Sequence, residues 1–342
     1  MHVRGPGLVT LALCVALTAG ACAQSAPTAA PPPAASAVPP APVRAASSSV
    51  AAVPPPPPAP AGLPVPVAVV VENAPDARPQ AGLDAADIVW EISAEGFITR
   101  FFAIFSSHTA AKIGPVRSTR LYFDQLDRAY GLPLAHAGGN VDALAWIGTW
   151  RLQNLDAIYG SGGYFWRSTD RRAPHNLYTS TDMLEKAVHA AGYTAPKVLS
   201  PATGAPAPDA LPTASVALNY LTDPPIYTYV AGWQWDATAW VRTVNGAVQV
   251  MADGHQVRAG TVIVLAVPDA PDPDPYTTGA LQMLWSVGGK AWVLRGGARA
   301  EGTWAMGADG LPGVSAGGQP LGAGVGPYWY EVVPSTWQVS FT

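Results

Sequence analysis

Residues 88–106 read IVWEISAEGFITRFFAIFS, and this stretch decides the fold of the first half of the chain. Two runs of β-branched and aromatic residues, 88–94 and 99–106, lie on either side of a short polar segment around Glu95. The second run is almost continuously apolar, which is typical of a strand that is covered on both faces. A similar run at 67–71 precedes them, so the sequence predicts a sheet of buried strands.

Helical patterns follow these strands. Ser118 is predicted to cap a helix over 120–129, and Asn140 is predicted to cap a second helix. A third helix begins at about residues 179–181 and ends at Gly192. The alternation predicts an N-terminal mixed α/β subdomain over residues 63–200, with a sheet and helices in layers.

The second half, residues 201–342, has a different pattern. Short β-branched and aromatic runs are separated by turn residues, and little of the sequence has a helical period. Asn245-Gly246 and Gly288-Gly289 are predicted to form hairpin turns. The expected fold class is therefore α+β, with the α/β subdomain followed by a β-rich C-terminal subdomain that contains hairpins.

The N-terminus, residues 1–22, has the pattern of an export signal. Arg4 precedes an apolar run that is too short to span a bilayer comfortably, and small residues lead to Cys22. Lipoprotein processing would attach lipid to Cys22, whereas ordinary signal peptidase would cut after Ala21 and secrete a soluble protein. A signal that is kept as an anchor is the third alternative. The favoured location is the extracytoplasmic face of the cell membrane, held by a lipid anchor.

Residues 23–62 are predicted to be a disordered tether. They contain 13 prolines, many alanines and a single charge, Arg44, and this composition cannot form a packed core. Because proline-rich chain favours extended polyproline II at ~3.1 Å per residue, such a segment would hold a domain away from a membrane.

The charge balance limits the classes of partner. The chain has 19 Lys plus Arg and 23 Asp plus Glu, for a net charge of −4. A general basic surface for nucleic acid is therefore not expected. No cysteine follows Cys22, so the later chain has no disulfide, thiolate metal site or cysteine nucleophile. We expect no metal and no cofactor.

One region is nevertheless basic. Between Arg100 and Arg172 there are nine arginines and lysines but only five acids. Arginines in turn-rich loops next to glycine and backbone N–H groups are typical of anion sites. The residues predicted to bind a ligand are Arg100, Arg117, Arg120, His136, Arg167, Arg171, His175 and Asn176.

A network of salt bridges is the alternative interpretation of the same arginines. Glu91 and Glu95 are candidate acidic partners, together with Asp87, for Arg100, Arg117 and Arg120. The two interpretations are balanced for Arg100, whereas the loop positions of Arg117, Arg171 and His175 favour a ligand site.

Several segments of the chain resemble the YerB-like family of bacterial lipoproteins, and the resemblance covers residues 65–334. In the first half they are Val71-Glu-Asn73 with Arg78-Pro-Gln80, Glu95-Gly-Phe-Ile-Thr-Arg100, Ile113-Gly-Pro-Val-Arg-Ser-Thr-Arg120, His136-Ala-Gly-Gly139 and Arg171-Arg-Ala-Pro-His-Asn-Leu-Tyr-Thr179; in the second half they are Trp240-Val-Arg-Thr-Val-Asn-Gly246 and Tyr328-Trp-Tyr-Glu-Val-Val333. The resemblance implies an exported, usually lipid-anchored protein with an α/β domain followed by a β-rich one. The family has no established reaction, so the resemblance implies no catalytic residue.

The leading interpretation is an envelope protein with an arginine-lined anion pocket that serves as a binding or assembly module in cell-wall biology. Its expected partners are an anionic small molecule or wall polymer, the membrane through a lipid anchor, and other envelope proteins. An envelope phosphotransferase or hydrolase acting on phosphorylated or glycosidic wall polymer is the second interpretation, and a purely structural or protein-interaction lipoprotein is the third. Whether the chain is an enzyme stays open, since no known nucleophile, Walker or zinc motif is present.

Overall fold

The computed structural model of the 342-residue chain describes residues 62–95, 98–195, 209–220, 229–271, 281–322, 324–335 and 338–342. The predicted signal, Cys22 and nearly all of the predicted tether lie outside the described residues. Within the described residues, no helix is long and apolar enough to cross a membrane.

The described elements are three α-helices and a larger number of strands. The helices are α1 (Leu121–Tyr130), α2 (Val141–Trp150) and α3 (Thr181–Ala191). The strands are β1 (Val67–Glu72), β2 (Ile88–Ser93), β3 (Thr99–Phe105), β4 (Leu134–His136), β5 (Asn154–Asp156), β6 (Trp166–Arg167), β7 (Leu177–Tyr178), β8 (Leu211–Pro212), β9 (Ser215–Asn219), β10 (Val230–Trp235), β11 (Trp240–Val244), β12 (Ala247–Val248), β13 (Arg258–Ala259), β14 (Thr261–Val267), β15 (Asp269–Pro271), β16 (Leu281–Met283), β17 (Gly289–Arg295), β18 (Ala298–Met306), β19 (Pro312–Ala316), β20 (Gln319–Pro320), β21 (Tyr328–Pro334) and β22 (Val339–Phe341).

A twelve-stranded mixed sheet forms the centre of the fold. Its order is β20-β19-β18-β17-β14-β21-β2-β3-β1-β4-β5, with β8 beside β18. The pairs β1–β4, β4–β5, β2–β21 and β14–β21 are parallel. The carboxyl ends of β1, β2 and β4 therefore meet at one edge of the sheet, where loops from several elements converge.

Both faces of this sheet are covered, as the sequence of residues 99–106 predicted. Phe101, Ala103 and Phe105 belong to one buried cluster, whereas Phe102 and Ile104 belong to the other. Helix α1 packs on the second cluster through side chains such as Phe123 and Leu126. The first cluster is covered by α3 and by a six-stranded sheet of order β12-β11-β10-β9-β22, with β13 beside β11. In a strand that is buried on both faces, successive side chains all point into an apolar core, which explains the continuous apolar sequence of β3.

The α+β class and the β-rich second half are confirmed. The large sheet takes strands from both sides of residue 200, however, because β2 pairs with β21 in parallel register from Ile88↔Tyr328 to Ile92↔Val332. The two predicted subdomains thus contribute strands to one sheet. The subdomain boundary at residue 200 stays a prediction.

One of the two predicted hairpin turns is confirmed. Asn245 and Gly246 have φ angles of 50° and 79° and join β11 to β12, as a type I′ turn requires. The prediction for Gly288-Gly289 was wrong, because β16 pairs with β15 and not with β17. The hairpin after β17 turns at Gly296 and Gly297, which have φ angles of 56° and 75°.

Candidate functional site

An extended segment, residues 115–119, is inserted between β1 and β4 at the carboxyl edge of the sheet. The Arg117 N–H donates to the Val70 carbonyl at 2.9 Å, and the Ala137 N–H donates to the Arg117 carbonyl at 3.0 Å. On the β1 side, the Glu72 N–H also donates to the Pro115 carbonyl at 2.9 Å. Because Arg117 is held by the sheet on both sides, its side chain is fixed beside the end of β1.

Glu72 is the last residue of β1, and its carboxylate holds two basic side chains. Arg117 Nε donates to one oxygen at 3.1 Å, and His175 Nδ1 lies 3.0 Å from the other. Glu72 is only 1% exposed, whereas Arg117 and His175 are 28% and 23% exposed. The two terminal nitrogens of Arg117 and the Nε2 of His175 have no hydrogen-bond partner within the described part of the chain. One buried carboxylate thus presents a guanidinium and an imidazole side by side to solvent.

Two further arginines bind neutral oxygens next to this pair. Arg78 donates to the backbone carbonyl and the side-chain oxygen of Asn73, at 2.7 and 3.0 Å. Arg171 donates to the carbonyls of Ala77 and Pro79. Since a carbonyl does not cancel a cation's charge, both side chains stay positive without an acidic partner among the described residues.

The loop that carries His175 is stabilised by Asn176. The amide nitrogen of Asn176 donates to the carbonyls of Ser168 and Arg171, at 2.8 and 3.2 Å, and its oxygen accepts from Arg167 at 2.8 Å. The exposed Arg172 is three residues before His175, whose N–H donates to the Arg172 carbonyl. Asn176 therefore positions the loop that carries Arg171, Arg172 and His175 and joins it to Arg167 of β6.

We call this group the Glu72 site, and it consists of Glu72, Arg78, Arg117, Arg167, Arg171, Arg172 and His175. Two other acids are near it. Asp76 is exposed on the following turn, and Asp170 lies 3.6 Å from Lys112. The five arginines of the site outnumber the carboxylates around them, so the surface carries a net positive charge.

Arg100 and Arg120 lie outside the Glu72 site and bind an acid of the chain itself. Arg120 Nε donates to one oxygen of Glu95 at 2.8 Å, and Arg100 and Arg120 both donate to its other oxygen. Burial alone would raise the pKa of Glu95, but the charges of Arg100 and Arg120 lower it to about 2. Arg100 and Arg120 therefore form salt bridges with Glu95, as the alternative interpretation of the sequence predicted.

His136 is fully buried, so no ligand can reach it in this structure. Its ring nitrogens lie 2.9 Å from the Gly138 carbonyl and 2.6 Å from the side-chain oxygen of Asn154. The neighbouring Asp156 accepts the N–H groups of Gly138 and Ile158 at 2.9 and 2.8 Å. Through these bonds, His136 and Asp156 stabilise the turns that follow β4 and β5.

The other two predicted acidic partners have different roles. Asp87 accepts the N–H groups of Ser106 and Ser107 at 2.7 and 2.9 Å. Glu91 was expected to pair with an arginine of the basic region, and this was wrong. It is fully buried and binds Arg242, a residue of the six-stranded sheet, because its side chain lies on the face of β2 that this sheet covers.

Arg242 also binds Glu331, so that a single buried cation lies between two buried carboxylates. The second bond, from Arg242 to Glu331, is 2.6 Å long. Trp233 and Tyr220 donate to Glu331 at 2.8 and 3.1 Å. This network lies away from solvent, and its position between the two sheets gives it a structural role.

The sequence interpretation missed Glu72, Arg78 and Arg172 as members of the site. The signal was present, since an acid at the end of five apolar residues is a charge in a buried strand and needs a partner. A different group could hold a metal ion: the ligand atoms of Asp84, Asp253 and His255 lie within 4.8 Å of one another, although His255 and Asp253 are mostly exposed.

The chain is similar to a family of proteins, to a curated relative and to a solved structure. Two family profiles match the chain: "Protein of unknown function (DUF3048) N-terminal domain" over residues 59–194, and the corresponding C-terminal domain over residues 216–329. Over 128 residues, the chain is 44% identical to the "Putative lipoprotein YerB" of Bacillus subtilis (strain 168), and this match covers 37% of the chain and 39% of that relative. The crystal structure of the YerB protein from Bacillus subtilis superposes with a TM-score of 0.72 at 30% identity, covering 81% of this chain and 93% of that one.

Proposed function

This chain belongs to the YerB-like family, and from this premise we propose that it is an exported, lipid-anchored protein of the cell envelope that binds an anionic ligand at the Glu72 site. The ligand is a phosphate-bearing small molecule or a segment of an anionic wall polymer. The protein acts as a binding or assembly module in cell-wall biology.

The lipid anchor rests on the N-terminal sequence and on the relative's name. Residues 1–22 have the pattern of an export signal that ends at Cys22, and the Bacillus relative is called a lipoprotein. The proline-rich residues 23–62 would separate the anchor from the described fold.

The observation that carries the binding function is the excess of positive charge at the Glu72 site. Three arginines donate to neutral oxygens, so no carboxylate neutralises their charges: Arg78, Arg167 and Arg171. The terminal nitrogens of Arg117 form a planar fork that matches two oxygens of a phosphate or carboxylate. Such a surface attracts anions over several ångströms and can bind one by direct contact.

A structural role for the same arginines is the competing proposal. Arg171 joins the loop 168–176 to the turn 77–79, and this bond stabilises both loops whether or not a ligand is present. The two functions differ in one property, because an arginine that only braces a loop gains nothing from an added anion.

The test is calorimetric titration of the purified full-length protein with inorganic pyrophosphate and with a soluble anionic wall polymer. The informative variant is Arg167→Gln combined with Arg172→Gln, since both side chains are exposed. We expect its affinity to fall by at least about 10-fold, because charge-assisted contacts contribute roughly 1.5–3 kcal/mol each.

The matched control is Lys186→Gln combined with Lys290→Gln, which removes the same charge from exposed positions outside the site. Its affinity should stay within about twofold of the wild-type value. Equal losses in the two double variants would show a general charge effect, and no heat with any anion would refute the proposed binding function.

A further inference from the structure

The buried carboxylate of Glu72 fixes the orientation of His175. A carboxylate accepts, so His175 donates its Nδ1–H to Glu72, and a neutral imidazole in this tautomer has its lone pair on Nε2. The Nε2 atom is on the opposite side of the ring and has no partner in the described part of the chain. An acid that orients a histidine in this way is the arrangement that general bases use in hydrolytic enzymes.

The contacts of Glu72 indicate more than bracing. A carboxylate that only ties loops together has no need of partners that reach solvent, yet both partners of Glu72 are about one-quarter exposed. Arg117 uses only Nε for Glu72, which leaves both terminal nitrogens available for a bound anion. The guanidinium fork of Arg117 and the Nε2 of His175 therefore belong to two partly exposed side chains that the same carboxylate holds at the edge of the sheet.

We propose that the Glu72 site hydrolyses a phosphoanhydride, with His175 as the general base. This inference rests on the proposed anion-binding function, because the same arginines must first hold the pyrophosphate group. Arg117 binds the non-bridging oxygens of the attacked phosphorus and stabilises the charge that they gain in the transition state. Glu72 is a positioning residue, since it acts only through His175 and Arg117.

The reaction balances without any further reactant. His175 Nε2 takes a proton from water as the water oxygen forms a bond to phosphorus. The bond from phosphorus to the bridging oxygen breaks, and its electron pair leaves with the departing phosphate, which is stable as an anion and needs no proton. Glu72 stabilises the imidazolium until the proton passes to solvent.

The experiment measures both binding and phosphate release with the full-length protein. The probes are inorganic pyrophosphate and geranyl pyrophosphate, which distinguish a free phosphoanhydride from one on a lipid. We expect His175→Asn to lower kcat at least about 100-fold, as loss of a general base does, while the dissociation constant of each probe changes by less than about threefold. His189→Asn is the matched control, because His189 is an exposed histidine on α3, and its kcat should not change.

Three further variants, at Arg117 and Glu72, keep the test independent of folding. Arg117→Lys keeps the charge but loses the fork, so it should weaken binding and lower kcat together. Glu72→Asp should recover part of the kcat that Glu72→Gln loses, with a smaller change in KM than in kcat, which loop bracing alone would not produce.

The outcomes separate the two proposals. Binding of a probe without phosphate release above the buffer rate would overturn the catalytic inference and leave the binding function intact. Phosphate release that is unchanged in His175→Asn would also overturn it. No binding of either probe would overturn both, whereas release that depends on His175 with binding preserved would establish the activity.

Discussion

Glu95 lies between two arginines whose side chains are almost fully buried. Arg100 is 2% exposed and Arg120 is 8% exposed, so neither charge is well solvated. Burial lowers the pKa of Arg100, and the neighbouring Arg120 lowers it further, so the Glu95 carboxylate is the group that keeps both cations stable. An external anion would have to displace Glu95 to reach them, which excludes these two residues from the surface that we assign to a ligand.

The Glu95→Gln variant should lose stability in a pH-dependent way. The carboxyl pKa falls from 4.5 to about 2 on folding, which corresponds to roughly 3 kcal/mol in favour of the native state. Because the native pKa is lowered, this stabilisation is complete above pH 4.5 and disappears as the pH falls through about 2. We expect the wild-type protein to be more stable by roughly 2–3 kcal/mol near neutral pH in urea unfolding, with the difference shrinking in acid.

The control for this experiment is Glu185→Gln, which removes an exposed acid from α3. Its effect should lie within about 0.5 kcal/mol at every pH. A Glu95→Gln protein that follows the wild-type stability curve from neutral pH to acid would contradict the assigned ion pairs.

At the scale of single elements, the three helices begin in different ways. Ser180 caps α3, because its hydroxyl oxygen accepts the Met183 N–H at 3.2 Å. The N-cap residue of α1 is Arg120 and that of α2 is Asn140, and neither makes a side-chain capping bond. Ser118 was predicted to cap α1, and it does not: residues 115–119 are extended in the sheet, and its hydroxyl donates to the Ala137 carbonyl.

Replacement of Ser180 and replacement of Asn140 should therefore change stability by different amounts. Ser180→Ala should cost about 1 kcal/mol, since the Met183 N–H loses its acceptor. Asn140→Ala should change stability by only a few tenths of a kcal/mol, because the Asn140 side-chain oxygen has no hydrogen-bond partner to lose. Urea unfolding of both variants measures the difference, and an equal cost at the two positions would be inconsistent with these caps.

Elements with a strong local signal could be predicted from the sequence. The continuous apolar run of β3 and the Asn245-Gly246 turn both follow from local chemistry, and both are present. The start of α1 could not be predicted, because the inserted segment 115–119 pairs with β1 and β4, which are distant in sequence. Gly288-Gly289 had the composition of a hairpin turn, but the strand before it pairs elsewhere.

The site could also be predicted in part, because some of its residues give a strong local signal in the sequence. The basic loops that carry Arg117, Arg171 and His175 stand out in an acidic chain, and the structure brings them together. The division of the arginines between a solvent-facing group and the buried pair around Glu95 depends on tertiary contacts, which no local pattern contains. Glu72 contacts Arg117, which is 45 residues further along the sequence, and His175, which is 103 residues further along.

At the scale of the whole molecule, one buried network joins the two large sheets. Glu91 and Glu331 lie opposite each other on β2 and β21, so their carboxylates are neighbours on the face of the twelve-stranded sheet. Arg242, from β11 of the six-stranded sheet, donates to both. Trp329 and Trp233 lie with their ring centroids 4.8 and 5.4 Å from its guanidinium. Two ionised carboxylates on adjacent strands would repel, and the positive charge of Arg242 from the other sheet offsets part of this repulsion.

The pH dependence of this network has the opposite sign to that of Glu95. Burial and the neighbouring Glu91 raise the pKa of Glu331 from 4.5 to about 8. A carboxyl group with a raised native pKa favours the folded state at low pH, and this contribution is lost as the pH rises from 4.5 through about 8. Glu331→Gln should therefore flatten the stability curve of the protein in that range.

Removal of the cation alone should be far more damaging than removal of the whole network. Arg242→Met leaves two buried carboxyl groups without a cationic partner, and breaking a buried ion pair in this way costs about 3–5 kcal/mol. When Arg242→Met is combined with Glu91→Gln and Glu331→Gln, no charge remains in this network, and we expect most of the lost stability to return. Urea unfolding of the single and triple variants checks this, with Arg258→Met as the control, since the Arg258 ion pair with Asp236 is exposed. If the triple variant were as unstable as Arg242→Met alone, the hydrogen-bond geometry of Arg242, and not the compensation of its charge, would be what holds the two sheets together.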